Sequence, residues 1–186
     1  TNATLIYQNV SGLDMTDCYV YLESDSDTPL NEINNGGRTF IGNTFHSRYG
    51  AGVTCESSIN NTIYVLNSNK SPSYGLTVSK EVIGGSIDSE SGPSLITGNR
   101  ATYGVKVTGV NIGCHDHQGP AVQVGTNTSL MGCNFFDTYG QGNTDIIQVK
   151  TGVTGVEIAN CTFDFHVASG NIGNYGITAV DNGTVV

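Results

Sequence analysis

Ile158-Ala159-Asn160-Cys161-Thr162-Phe163 reads apolar, any residue, turn residue, small residue, polar, apolar. The same form recurs from Met15 to Val20, Phe40 to Phe45, Ile59 to Tyr64, Val82 to Ile87, Val107 to Ile112, Leu130 to Phe135 and Val180 to Val185. The first and sixth positions are apolar every time. The third is Asp17, Gly42, Asn61, Gly84, Gly109, Gly132, Asn160 and Asn182. These are the residue types that enter the left-handed backbone region most readily. A left-handed residue between two short apolar strands makes a sharp bend, not a hairpin. Successive segments lie 19 to 28 residues apart. That is too short for a four-stranded propeller blade, and each unit lacks the helix of most leucine-rich repeats. It suits one turn of a coil with three short strands.

A second strand signature precedes the bend. Tyr49-Gly50, Tyr74-Gly75, Tyr103-Gly104 and Tyr175-Gly176 each lead into alternating residues such as Leu76-Thr77-Val78 or Val105-Lys106-Val107. Ala121 to Val124 and Ile146 to Val149 fill the same slot elsewhere. The expectation is an all-β chain, a parallel β-helix of about eight coils with roughly 23 residues per coil. At about 4.8 Å per coil the rod is roughly 38 Å long. Composition agrees: Val, Ile, Thr and Tyr favour pleated surfaces, and no window carries the 3,4-spaced apolar stripe of an amphipathic helix.

Residues 1–186 read as one domain and as a piece of a longer chain. Leu5, Ile6, Tyr7 and Val10 already belong to a coil, and Val186 follows a repeat position by one residue. A solenoid without polar caps exposes strand edges and invites association.

Sixteen acids against seven bases give a net charge of −9, which repels phosphate backbones and argues against nucleic acid as partner. It is compatible with neutral or weakly charged glycans. No apolar run approaches the length of a membrane span, so no membrane association is expected. Five cysteines, with no paired Cys or His spacing, argue against a disulfide scaffold and a structural zinc site. No cofactor or metal is expected. Cys18, Cys133 and Cys161 fall in the small fourth column, where buried thiols are the ordinary reading.

The apolar-x-Gly/Asn-x-x-apolar coil with its Asn-rich bend resembles the right-handed parallel β-helix of the pectate-lyase-like superfamily. Within it, the Gly/Ser/Thr/Asn-rich, acidic character is most similar to bacteriophage tailspikes and tail fibres. The resemblance implies a homotrimer on a virion tail, or an extracellular protein, that recognises a bacterial surface polysaccharide, with or without depolymerising it as a glycoside hydrolase. A secreted polysaccharide hydrolase or lyase of the same superfamily is the alternative, and a structural or adhesive solenoid without catalysis is another. Fold alone does not choose between them.

Ionisable residues gather after the sixth-position strand, and all four histidines are among them. The segments Asp88 to Thr102, Asp137 to Asp145 and Asp164 to Asn174, with Cys114 to Pro120, read as loops leaving one recurring corner. Loops on a rigid rod are natural walls for a binding groove. Retaining glycosidases hold two carboxyls about 5–5.5 Å apart and inverting ones about 6.5–9.5 Å. Residues one coil apart lie near 5 Å, so Asp137 with Asp164 makes the near pair. Asp116 with Asp164, two coils apart, makes the far one. Asp116, Asp137 and Asp164 are therefore the candidate catalytic acids, with Asp88, His115, His117, Tyr139 and His166 as candidate glycan contacts. Acids in solvated turns, and a polar turn at His115-Asp116-His117, are the plain structural alternatives. The basic residue used as proton acceptor by the pectate lyases of this superfamily has no obvious counterpart beside the acidic corner, which disfavours a lyase.

Overall fold

The structure, a computed structural model, describes residues 12–22, 33–48, 52–66, 74–89, 92–98, 104–113, 120–139, 145–166 and 175–179. Its first four coils supply strands in pairs: β1 (Leu13–Thr16) with β2 (Tyr19–Leu22), and β3 (Ile33–Ile41) with β4 (Thr44–Arg48). Next come β5 (Val53–Ile59) with β6 (Thr62–Leu66), and β7 (Leu76–Ile83) with β8 (Ser86–Ser89). The following coils have three strands each: β9 (Leu95–Thr97), β10 (Lys106–Thr108) and β11 (Asn111–Gly113), then β12 (Val122–Val124), β13 (Ser129–Met131) and β14 (Asn134–Tyr139). After them come β15 (Asp145–Val149), β16 (Glu157–Ala159), β17 (Thr162–His166) and finally β18 (Tyr175–Ala179).

Every strand pairing among the described residues is parallel, and none of these residues is helical. The second sheet runs β2-β4-β6-β8-β11-β14-β17. Its in-register positions Tyr19, Thr44, Thr62, Ser86, Asn111, Asn134 and Thr162 lie about 24 residues apart on average. The chain is thus a parallel β-helix. Seven coils stack in that sheet, one fewer than the eight repeats in the sequence, and the last repeat, Val180 to Val185, lies outside the described residues. So do Leu5 to Val10 and Tyr49-Gly50.

The first sheet divides along its length. Its early strands are long and irregular in register, with breaks at Ile33/Gly37 and Cys55/Ser57. The front half of β7 pairs with β9, while its back half pairs with β10. From there the two halves continue separately, as β9-β12-β15-β18 and as β10-β13-β16. The three-strand coil is therefore the later form, and in earlier coils its first two strands are one bulged strand. This corrects one sequence expectation. Val105-Lys106-Val107 does not share the slot of Leu76-Thr77-Val78; Leu95–Thr97 does. The segment Asp88 to Thr102 is accordingly not a plain loop, because it contains β9. Its local apolar run is only two residues long, too short to announce itself.

The bend is where the repeat put it. Asp17, Gly42, Asn60, Gly84, Gly109, Gly132 and Asn160 all have φ between 51° and 65°. Each amide from Gly42 to Gly132 in this column donates to a carbonyl of the next coil at 2.8–3.0 Å. The third coil, however, is one residue out of the expected register. Its left-handed residue is Asn60, not Asn61; Phe40 pairs with Ser58, not Ile59; and Phe45 pairs with Ile63, not Tyr64. The hydroxyl of Ser58 explains the difference. It points inward at 2% exposure and accepts a hydrogen bond from Asn61 Nδ2 at 2.8 Å. A polar residue therefore occupies an inward column that the apolar pattern reserves for isoleucine.

Asn61 and Asn43 stack at the fourth position as a buried amide ladder. The Asn43 amide and its Nδ2 both donate to Asn61 Oδ1, at 2.8 and 2.9 Å. Asn61 Nδ2 also donates to the Phe40 carbonyl at 2.7 Å, and Asn43 Nδ2 to that of Met15 at 3.0 Å. Each side chain thus satisfies polar groups of adjoining coils that would otherwise be buried alone. Farther along, the column becomes Val110, Cys133 and Cys161, with apolar packing instead: Phe135 and Phe163 stack at 4.8 Å with their planes 4° apart. Burial pushes the Cys133 thiol up to about 11 and, with the charge of Glu56 adding, the Cys55 thiol up to about 12. Cys18, Cys55, Cys133 and Cys161 are free; Cys133 is buried, Cys161 half-buried and Cys18 exposed, although its column was expected to face the core.

Glycine is required most strictly at Gly104. Its φ is +49°, and a Cβ there would lie 1.8 Å from the Asn127 carbonyl oxygen of the next coil. Gly109 and Gly132 are bends of another kind, with nothing within 4 Å of a Cβ, so a substitution there meets backbone strain alone.

Candidate functional site

Along each strand of the second sheet, residues alternate between core and surface. Val20, Phe45, Ile63, Ile87, Ile112 and Phe135 are buried. Their neighbours on either side form two outward rows. One is Tyr19, Thr44, Thr62, Ser86, Asn111, Asn134 and Thr162, all carrying hydroxyls or amides. The other runs Tyr21, His46, Tyr64 and Asp88, and continues through Gly113 and Phe136 to Asp164.

The chain leaves every strand of this sheet on the same side, so the C-terminal ends of β8, β11, β14 and β17 share one edge of the rod. His115, Asp116 and His117 fall in the β11–β12 connection and lie outside the described residues. The far pair, Asp116 with Asp164, is not placed, because Asp116 lies outside the described residues.

The near pair is placed by backbone register. Asn134 and Phe135 face Thr162 and Phe163, whereas Thr138 and Tyr139 face Phe165 and His166. Two residues of β14, Phe136 and Asp137, therefore stand opposite one residue of β17, Asp164, as in a β-bulge. This sets Asp137 and Asp164 on adjoining strands about 4.8 Å apart, and it makes Tyr139 and His166 direct partners. Four of the eight residues singled out in the sequence thus meet at the ends of two neighbouring strands. Asp164 is exposed. A bulge at such a place re-aims side chains and is common beside active sites.

Asp88 lies apart from these four. It is 7% exposed, and its carboxylate folds over Gly113: a Cβ on that glycine would lie 2.6 Å from Asp88 Oδ1 and 2.9 Å from Phe136 Cζ. The sequence gives no warning of this cover, because it comes from a missing side chain one coil away.

The tyrosine before Gly75 is also a packing residue: the Tyr74 ring occupies the space that a side chain on Gly52 would take, and its hydroxyl lies 3.4 Å from Thr54 Oγ1. Tyr103 lies outside the described residues, and Tyr175 opens β18 opposite Asp145.

Apart from Arg48, which ends β4 in the second sheet, the described lysines and arginines sit elsewhere. Arg38, Lys80, Lys106 and Lys150 belong to strands of the first sheet or adjoin them. Arg38 is held by Asp14 of the coil before, and its guanidinium keeps the Asp14 carboxyl below the ordinary range. Lys150 Nζ donates to Gln123 Oε1 at 2.9 Å. Among the described residues no group of three or more His, Cys, Asp or Glu is placed to hold a metal ion.

What sequence reasoning passed over is the aromatic row itself. Tyr21 and His46 meet edge to face at 5.1 Å, and His46 and Tyr64 at 5.2 Å. The signal was present as Tyr19-Val20-Tyr21, an alternation that turns both rings outward around a buried valine. No protein-family model matches the chain, and neither a curated protein nor a solved structure does.

Proposed function

We propose that this β-helix recognises a bacterial surface polysaccharide along the second sheet, in the manner of the phage tailspikes and tail fibres it resembles, and cleaves it at the β14–β17 edge. In this reading it works outside the cell as part of a virion tail, and three copies assemble into the active particle. The observation that carries the reading is the register of β14 and β17, which sets Asp137 beside Asp164 and Tyr139 beside His166. Aspartates on adjoining strands, about 4.8 Å apart at the backbone, suit the closer of the two spacings used in glycoside hydrolysis, in which one acid attacks and the other protonates the leaving oxygen. The hydroxyl and amide row on the same face supplies hydrogen-bonding groups suited to sugar hydroxyls. The net charge of −9 favours a neutral glycan over a polyanionic one.

A glycan array probed with the chain tests the reading, each captured polysaccharide then being incubated with the protein and assayed for new reducing ends. The expected result is capture of at least one neutral bacterial polysaccharide with release of reducing ends. Capture without release would remove the hydrolase from the proposal, and no capture at all would remove the proposal.

A further inference from the structure

From the geometry of β2, β4 and β6 we infer a second sugar-binding surface, a ring-stacking platform made by Tyr19, Tyr21 and Tyr64. It lies about 14 Å or more along the rod from the carboxylate pair, since three strand steps separate β6 from β14. The inference rests on the polysaccharide reading and extends it to the ligand class: a neutral chain of pyranoses lying along the rod axis.

Tyr19 and Tyr21 are 69% and 47% exposed, the two most exposed large hydrophobic side chains among the described residues. Core packing does not need them there, because Val20 between them makes the inward contact. The row behind Tyr21 is held in place. His46 lies between the edges of Tyr21 and Tyr64 at interplanar angles of 81° and 73°. Its Nε2 is shut off from solvent with no hydrogen-bond partner, so the imidazole acts here as a spacer that fixes the two phenol rings. A ring held by its neighbours loses little freedom on binding, which favours affinity.

The chemistry around the rings selects the ligand. An aromatic face is the negative part of the ring quadrupole, and it attracts the weakly positive C–H face of a pyranose. The positions beside Tyr19 in its row are Thr44 and Thr62, whose short hydroxyl side chains can donate to and accept from a sugar's own hydroxyls. The two outward rows carry hydroxyls, amides and rings and no lysine or arginine, and the one Lys or Arg among the described strands of this sheet, Arg48, stands at the end of β4 beyond them, so the rows suit a neutral glycan better than a polyanionic one. A protein partner would need a wider apolar surface than three tyrosines set among threonines.

The test uses the full chain and a panel of soluble polysaccharides: neutral glucan, mannan and galactan beside polygalacturonate. With no Trp in the chain, intrinsic fluorescence reports tyrosine directly. A neutral member should change tyrosine emission on binding, and the Tyr19→Ala/Tyr21→Ala double variant should bind it about tenfold more weakly or worse. Lys106→Gln, exposed on β10 of the first sheet, should bind it within a few-fold of the parent. Unchanged affinity in the tyrosine variant would overturn the platform while leaving the polysaccharide reading intact. Failure of the parent to bind any neutral polysaccharide would overturn both, as would preference for polygalacturonate for the ligand class. Circular dichroism of the double variant, expected to match the parent, separates lost contact from lost fold.

Discussion

The Asp164→Asn variant is expected to slow release of reducing ends from a bound polysaccharide by about 10²–10⁴-fold, the usual cost of losing a general acid or base. The exchange keeps the side chain's shape and removes only its charge. Asp164 is exposed on the outward face of β17, and the neighbour that packs inward is Phe163, so the exchange leaves the core packing in place. Its position opposite the Phe136–Asp137 bulge makes Asp137→Asn the companion variant, with a loss of the same order. Binding should respond less, by about 1.5–3 kcal/mol for a hydrogen bond to a charged group. Measuring turnover and affinity separately on both variants checks this. If turnover is unchanged in both, the two carboxylates are solvated turn residues and the chemistry lies elsewhere.

The Asn61→Leu variant is expected to lose about 4 kcal/mol of stability, far more than its similar volume suggests. Leucine fills the space but returns none of the hydrogen bonds. The Asn43 amide and Nδ2 lose their shared acceptor, and the Phe40 carbonyl and Ser58 hydroxyl lose their donor. Each buried polar group left unpaired costs about 1–3 kcal/mol, and those that find no replacement partner add up. Denaturant unfolding monitored by circular dichroism measures the difference. A variant as stable as the parent would show that the ladder is not needed to close the second and third coils.

Most of the fold was legible because the solenoid repeats its physics. A left-handed bend needs Gly, Asn or Asp at one position of each coil, and six of the seven described bends follow from that rule alone. The seventh failed for a reason the rule cannot see. Asn60 and Asn61 are adjacent and equally suited to the bend, and Ile59 and Tyr64 offered an apolar frame that fits one choice as well as Ser58 and Ile63 fit the other. The hydrogen bond between Ser58 and Asn61 decides between them, and it exists only once the neighbouring coil is in place. The division of the first sheet was hidden likewise, since β9 is three residues long and its partner strand is identified only by stacking.

At the site, the sequence named Asp137, Tyr139, Asp164 and His166 from their shared corner, and strand register sets them side by side. It did not foresee that Asp88 is covered, because the cause is the bare Cα of Gly113 beneath it. Nor did it rank Tyr19 and Tyr21 above other tyrosines. Spacing two apart says that both face the same way, but not whether that way is solvent.

Hydrogen–deuterium exchange with and without a captured polysaccharide tests the central claim most directly, because it reports which face the ligand covers. The account predicts slowed exchange in β14 and β17 and in Tyr19–Leu22, with the outward face of the first sheet unchanged. Protection confined to the first sheet, around Ile41 and Ile83, would contradict it.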